Sequence, residues 1–374
     1  MTIETDVFVS IDRNKPLAEQ PHLGHNRWHP DIPPTIEVAP GQVIGIETRD
    51  AFDGQIQPDS NNLDIGQLNL QLVHPLTGPV YVKGASPGDI LEVQVAEIDP
   101  QPFGYTVQVP GFGFLRDVFT ELYIVHWEIA NNQATSVDLP GVQIPGASFM
   151  GVMGVAPSQE LLDQIYTRES DLKRRGGNVL LPDTTNAVPS DPNLASRAMR
   201  TIAPHETAGN VDIKQLTKGT TVRIPVYVPG ALFSVGDGHF AQGDCETCGT
   251  AIEMGSTFYA SFKLIKGEAK RLNIRDAQFY RNDYFTTPEM AVPKRFFATT
   301  GQSYTRSGVN YSEDLTVAAR NALLNMIDHL VAQRGYTPQQ AYAICSVAVD
   351  LKVSQIVDVP NFLVSAFLPL DIFI

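Results

Sequence analysis

Residues 87–95 read Pro-Gly-Asp-Ile-Leu-Glu-Val-Gln-Val, a Pro-Gly turn followed by six residues that alternate between two faces, as a half-buried strand does. Proline presets the first turn position, and glycine accepts positive φ at the next. A second Pro-Gly pair, at 40–41, stands between the strand-like segments Ile36–Val38 and Val43–Glu47 and predicts a hairpin. We therefore expect a mainly β fold made of sandwich-like or barrel-like units.

The composition agrees with this fold class. The chain has 374 residues with 29 Gly and 27 Pro, and only 18% of its residues are charged. Low charge with many turn-forming residues is typical of buried strands joined by turns. A chain of this length divides, at ~150 residues per domain, into two or three domains.

Helices are few and have clear ends. Ser158 caps a predicted helix over Gln159–Lys173, and a helical apolar stripe from Leu315 to Leu330 runs up to Gly335. Thr337-Pro338 supplies an N-cap and a first-position proline for a further helix through Val347. These two adjacent helices predict a small α/β element near the C-terminus.

Three domains follow from this organisation. Residues 1–150 form an N-terminal β-rich domain, and residues 151–260 form a second β domain with a polar, Pro-rich insertion around 174–200. Residues 261–374 form the C-terminal α/β element.

Charge and apolar patterning restrict the partners. The formal net charge of −14 would repel a polyphosphate, so we expect no nucleic-acid partner. No apolar run reaches the ~18 residues of a membrane helix, and the first residues lack the order of a signal peptide, which predicts a cytoplasmic protein without membrane contact. Three cysteines cannot form a disulfide framework, in agreement with a reducing compartment.

The densest polar cluster is the glycine-rich stretch 236–249. Asp237 and His239 lie two apart, so in an extended segment both side chains point to one face and can bind one cation. Glu246 can then take a proton from water. The alternative interpretation is a turn-rich hairpin with solvated carboxylates. Cys248 is either a nucleophilic thiol or a small buried residue.

Other polar residues are candidates for the functional site, and each has an alternative structural role. Asp50 follows a strand at a predicted turn, where Asp is a common residue. His25 belongs to a group of three histidines within eight residues, which either bind a ligand or stack against Trp28. His205 and Asn210 bracket another turn, where Asn210 holds either a substrate amide or its own backbone.

The chain resembles the acetamidase/formamidase family over nearly its whole length. The resemblance rests on the strings HNRWHPDIPP (25–34), ETRDAFDGQI (47–56), GPVYVKGASPGDILEV (78–93), PHETAGNVDI (204–213), VPGALFSVGDGHFAQGD (228–244), CGTAIE (248–253) and QIVDVPNFLVSAFLPLDIF (355–373). It implies hydrolysis of a short primary amide, formamide in the simplest case, to a carboxylate and ammonia, on a β-rich fold with a bound divalent metal, zinc as first choice.

Transferred onto this sequence, the family's motifs fall on Asp50, Asp237 and His239 as metal ligands and on Glu246 as the proton carrier. The family's Gly-Asn-x-Asp motif falls on Asn210 and Asp212. We expect Asn210 and His205 to orient the substrate, and His25 is included as a substrate-binding candidate. The chain departs from the family pattern at 205–209 and at Cys245, both beside this predicted site.

Two rival functions remain open from the sequence. One is a thiol-dependent amidase that uses Cys248, and the other is a non-catalytic protein that binds small amides. The apolar terminal run Phe362–Ile374 also predicts a surface covered by another copy of the chain, so we expect a homo-oligomer.

Overall fold

The computed structural model describes residues 3–282 and 295–374. In this structure a strand follows each of the two predicted Pro-Gly turns. Residues 283–294 of the expected C-terminal element therefore lie outside the described residues, as do residues 1 and 2 of the N-terminal one. In the described ranges the strands are Val7–Val9 (β1), Gly24–His25 (β2), Arg27–Trp28 (β3), Ile36–Val38 (β4), Val43–Thr48 (β5), Leu76–Val82 (β6), Ile90–Pro100 (β7), Phe103–Gln108 (β8), Tyr123–Ala130 (β9), Gln133–Thr135 (β10), Gln143–Pro145 (β11), Phe149–Val155 (β12), Met199–Arg200 (β13), Ala208–Asn210 (β14), Thr221–Pro225 (β15), Phe233–His239 (β16), Glu253–Met254 (β17), Ser256–Ile265 (β18), Gln278–Tyr280 (β19), Phe296–Gln302 (β20), Asp350–Gln355 (β21) and Leu363–Pro369 (β22).

The helices of the same ranges are Asn62–Ile65 (α1), Gln159–Arg174 (α2), Pro192–Ala195 (α3), Glu268–Leu272 (α4), Leu315–Arg334 (α5) and Pro338–Ala348 (α6). Their ends confirm the predicted caps. The Ser158 side chain accepts from the Leu161 N–H at the start of α2, and Thr337 forms a capping box with Gln340 at the start of α6. Gly335 ends α5 in the left-handed conformation, with φ 72°. No helix in the described ranges is long and apolar enough to cross a membrane.

The strands form two large sheets, which confirms the expected mainly β class. One sheet has six strands in the order β1-β5-β18-β7-β15-β19, and the other has eleven, with β16 paired to β6, β12 and β17. Their apolar faces share one core: Phe233 of β16 contacts Phe258 and Phe262 of β18. This packing of sheet on sheet buries the strands that carry the candidate site.

Strand pairing crosses residue 150 in both sheets, since β6 pairs with β16 and β7 pairs with β15 and β18. The predicted ranges 1–150 and 151–260 therefore share their sheets. Near the C-terminus, β20, β22 and β21 form a three-stranded sheet that packs against α5 and α6.

The hairpin predicted at Pro40-Gly41 is wrong, although both of its strands exist. β4 pairs in parallel with β6, whereas β5 pairs with β1 and β18 in the other sheet. The turn, with Gly41 at φ 90°, thus sends the chain from one sheet to the other. Turn residues favour a reversal of direction, but the partner of each strand is set by tertiary packing.

Candidate active site

A row of facing residues crosses the large sheet and places three polar side chains on one face. His239 on β16 lies opposite Phe149 on β12 and Glu253 on β17, and Glu253 lies opposite Tyr105 on β8. Facing residues in a sheet point to the same side, as do residues two apart along a strand. Asp237 therefore joins His239 and Glu253 on this face.

Three carboxylates approach the His239 ring. Its Nε2 lies 3.1 Å from Glu253 Oε2, 3.4 Å from Asp237 Oδ1 and 4.0 Å from Glu246 Oε1. The side chains of Asp237, His239 and Glu253 are only 3%, 1% and 3% exposed. His74 approaches from another side, with its Nε2 3.9 Å from Asp237 Oδ2. Two histidines and three carboxylates thus share a site within the sheet.

Asp212 completes the cluster through its contacts with Gly151. The N–H groups of Val211 and Asp212 both donate to the Gly151 carbonyl, at 3.0 and 3.3 Å. Gly151 lies on β12 opposite Asp237, since its neighbours Met150 and Val152 pair with Gly238 and Gly236. A Cβ built on Gly151 would lie 2.5 Å from Asp237 Oδ2 and 2.6 Å from Asp212 Oδ1. Glycine at this position leaves room for both carboxylates.

Four buried polar atoms of this cluster lack a hydrogen-bond partner: Asp212 Oδ1, Asp237 Oδ1, His239 Nε2 and Glu253 Oε2. Buried polar atoms are normally paired, so several unpaired acceptors in one place point to a bound cation. The ligand atoms form two overlapping groups, Asp237-His239-Glu253 and Asp212-His239-Glu246, each with its atoms within 4.8 Å of one another. Carboxylate and imidazole donors of this kind fit a zinc ion.

The electrostatics of the cluster reflect its surplus of carboxylates. Burial raises the pKa of Glu253 to about 7 against the opposing effect of His239, and burial raises the pKa of Asp212 to about 8. Burial and the neighbouring Asp212 raise the pKa of Glu246 well above its usual value. Burial alone lowers the pKa of His239, but the carboxylates of Glu253 and Asp237 raise it well above its usual value. A cation would offset this repulsion between carboxylates.

The structure brings together three of the sequence-predicted residues, namely Asp237, His239 and Glu246, but Asp50 has other partners. Its carboxylate accepts from the Tyr105 hydroxyl at 2.6 Å and from the N–H groups of Phe52 and Gly54 at 3.0 and 2.9 Å. Among the described residues, Asp50 belongs to neither of the two groups that could hold a metal ion. Asp50 thus lies beside the row of site residues, next to Tyr105, with its oxygens occupied.

His25, His205 and Asn210 have polar partners outside this cluster. The Nε2 of His25 lies 2.7 Å from Ser234 Oγ, and its ring packs edge-on against Trp28. The Nε2 of His205 lies 3.3 Å from Glu169 Oε1 on α2. The Asn210 side chain donates to the Ile202 carbonyl at 3.0 Å.

Cys248 has the surroundings of a core residue. It is 1% exposed, and its Sγ lies 3.6 Å from the carbonyl oxygens of Val107 and Thr250. Burial raises the pKa of its thiol, which lowers the fraction of nucleophilic thiolate.

The family is clear from the sequence. The model of the acetamidase/formamidase family matches residues 10–374. The chain belongs to this family. It is 36% identical to the acetamidase of Mycolicibacterium smegmatis, over 91% of this chain and 89% of the relative, and 34% identical to the formamidase of Methylophilus methylotrophus, over 98% and 93%. Among solved structures it resembles a gamma lactamase from Delftia acidovorans, with a TM-score of 0.93, 34% identity and coverage of 98% and 93% of the two chains.

Sequence reasoning missed Glu253 and His74, and it matched Asp212 to a family motif without giving it a part in the reaction. Glu253 follows Ala251-Ile252 and precedes Met254, so a carboxylate inside an apolar, strand-like run was the available signal. Asp212 comes to the site through the pairing of β14 with β12, which a single sequence does not reveal. His74 carries no comparable local signal.

Proposed function

We propose that this protein is a metal-dependent amidase that hydrolyses short primary amides of the formamide or acetamide type to a carboxylate and ammonia. As a member of the acetamidase/formamidase family, it is an amide-hydrolysing enzyme. Family membership supports amide hydrolysis, and the dependence on a metal is what we propose in addition. The observation that carries it is a set of three buried carboxylate oxygens without a hydrogen-bond partner, which lie around an equally unpaired His239 Nε2.

Asp237, His239 and Glu253 are the proposed ligands, because the oxygens of Asp237 and Glu253 lie closer to His239 Nε2 than that of Glu246 does, and all three side chains are almost fully buried. The sequence assigned Asp50 to this role, but its hydrogen bonds to Tyr105 and to the backbone make Glu253 the better candidate. When bound, a zinc ion supplies Lewis-acid polarisation of a carbonyl and increases the acidity of water.

Glu246 is the proposed proton carrier. Its side chain is 16% exposed and that of His74 is 12% exposed, against 3% or less for the three ligands, so we expect substrate to enter the cluster past these two more exposed side chains. Water adds to the amide carbon and gives up a proton to Glu246. Glu246 then passes this proton to the nitrogen as the C–N bond breaks, which releases the carboxylic acid and ammonia; at neutral pH the acid ionises to the carboxylate and ammonia takes up the proton as ammonium. Burial, which raises the pKa of Glu246, favours the protonated form that donates to the nitrogen, and a bound cation would favour the carboxylate form that accepts from water.

The two rival functions gain less support. A thiol mechanism needs an accessible thiolate, whereas Cys248 is buried and its pKa is raised. Burying the Glu246 carboxylate beside the proposed metal ligands costs desolvation free energy, and a protein that only binds amides has no need for such a proton carrier.

The similarity to the gamma lactamase favours a second candidate, the opening of a γ-lactam ring. A lactam is a cyclic secondary amide, so the same residues would break the same C–N bond. The difference lies in the leaving nitrogen, which stays attached to the product.

The test is hydrolysis of formamide, acetamide and 2-pyrrolidinone by the purified enzyme before chelation, after chelation and after addition of zinc. We expect release of ammonia that chelation abolishes and zinc restores. Activity that survives complete metal removal would refute the metal proposal. Turnover of the lactam at a higher kcat/KM than of either primary amide would favour the second candidate.

A further inference from the structure

The His239 ring makes a contact that the proposed mechanism has not used. Its Nδ1 lies 3.0 Å from Gln242 Oε1, on the side of the ring opposite to Asp237 and Glu253. The amide nitrogen of the same Gln242 donates to the Asp212 carbonyl oxygen at 2.9 Å. Gln242 is 5% exposed, so solvent water hardly competes for either bond.

These two bonds leave only one arrangement of protons. A backbone carbonyl oxygen can only accept, so the NH2 group of Gln242 must face Asp212. The carbonyl Oε1 of Gln242 must then face Nδ1, and Nδ1 must be the donor. In the neutral ring, the lone pair therefore lies on Nε2, which faces the carboxylates of Asp237 and Glu253.

We infer that Gln242 is a positioning residue that fixes the His239 tautomer able to bind the metal, and that it ties this ring to the segment carrying Asp212. The inference rests on the proposed metal-dependent function. Without this acceptor, the ring can rotate or hold its proton on Nε2, and in either state the metal loses a ligand. Partners of this kind commonly change metal affinity or activity by 10–100-fold.

Gln242→Met tests the inference, because methionine fills a similar volume and accepts no comparable hydrogen bond. We expect its zinc affinity, measured by competition with a chromogenic chelator, to fall about 10–100-fold. The visible spectrum of the cobalt-substituted enzyme should change as well. Gln242→Glu keeps an acceptor for Nδ1 but loses the donor to the Asp212 carbonyl, so it should bind zinc less tightly than wild type and more tightly than Gln242→Met.

Gln20→Met is the matched control. Gln20 is 7% exposed and, like Gln242, bonds to the main chain, at Asp12 and Lys15, away from His239. It should lose stability without losing zinc affinity. Unchanged zinc affinity and cobalt spectrum in Gln242→Met would overturn the inference, as would an equal loss in Gln242→Glu.

A measurement on the unaltered enzyme covers the case in which Gln242→Met does not fold. Nitrogen-15 spectra of the histidine rings in the zinc-loaded enzyme, with His239 assigned by substitution, should show the proton on Nδ1. A proton on Nε2 would overturn the inference. If the wild-type enzyme binds no zinc at all, it is the proposed metal function that fails.

Discussion

Gly151→Ala is the substitution that tests the site geometry most strictly. The added Cβ would lie 2.5 Å from Asp237 Oδ2, 2.6 Å from Asp212 Oδ1 and 2.8 Å from His239 Cε1. Ordinary contacts of such atoms begin near ~3.4 Å, so these side chains must each move by several tenths of an ångström or more. Metal–ligand distances tolerate only about ±0.2 Å, and a misplacement of ~1 Å can cost ~100-fold in rate.

We therefore expect Gly151→Ala to lower kcat/KM for formamide by at least about 100-fold, equivalent to ~2.7 kcal/mol, and to lower the zinc content. Overpacking of this size costs ~1–3 kcal/mol of stability, which a protein of ordinary stability withstands. Ammonia release, zinc content and thermal unfolding would be measured on the same preparation.

Gly255→Ala is the matched control. Gly255 also lies next to the site strands, but its built Cβ lies 3.2 Å from the flexible Gln101 side chain and 3.4 Å from the Thr48 carbonyl. It should keep a kcat/KM within about threefold of wild type. If a folded Gly151→Ala enzyme shows wild-type zinc content and turnover, the cluster around Gly151 is not the active site.

Four further predictions concern the proton carrier, the buried thiol, two buried histidines and the oligomeric state. Glu246→Gln should keep its zinc and lose ~10²–10⁴-fold in kcat, and a loss below about tenfold would exclude a proton-transfer role. Cys248→Ser should retain activity within about threefold, whereas its inactivation together with chelator resistance would support the thiol mechanism. Burial lowers the pKa of His25 and of His205 to about 4, so at these two side chains the unfolded chain, with histidine near 6.5, binds more protons than the folded one. Their contribution to the free energy of unfolding should then fall as pH falls from about 7.5 towards 4, by ~1.4 kcal/mol per histidine down to pH 5.5, and the difference in unfolding free energy between wild type and His25→Asn, measured with urea, should decrease by this amount. Light scattering should give a particle larger than the 40.9 kDa chain, and a monomer mass at micromolar concentration would rule out the homo-oligomer.

Local chemistry explains what the sequence predicts well. Ser158, Gly335 and Thr337 act through hydrogen bonds or φ values within a few residues, so the ends of α2, α5 and α6 agree with the pattern. Asp237, His239 and Glu246 also lie within ten residues of one another along the chain, so their proximity could be expected.

Strand register explains what the sequence does not predict. Glu253 joins His239 because β17 pairs with β16, and Gly151 meets Asp237 because β12 pairs with β16 in one particular register. A shift of one residue would turn these side chains to the other face of the sheet. The partners of Asp50 are likewise not predicted by the sequence. As a polar residue at a strand end it is a reasonable candidate from the sequence, but its oxygens accept hydrogen bonds from Tyr105 and the backbone.

Anomalous scattering from zinc-loaded crystals, recorded on both sides of the zinc absorption edge, would locate the metal and its ligands. The proposed ligand set requires a peak bonded to Asp237, His239 and Glu253, with Asp50 still hydrogen-bonded to Tyr105. A zinc peak at Asp50 without Glu253, or a fully active enzyme whose crystals show no metal peak at His239, would contradict it.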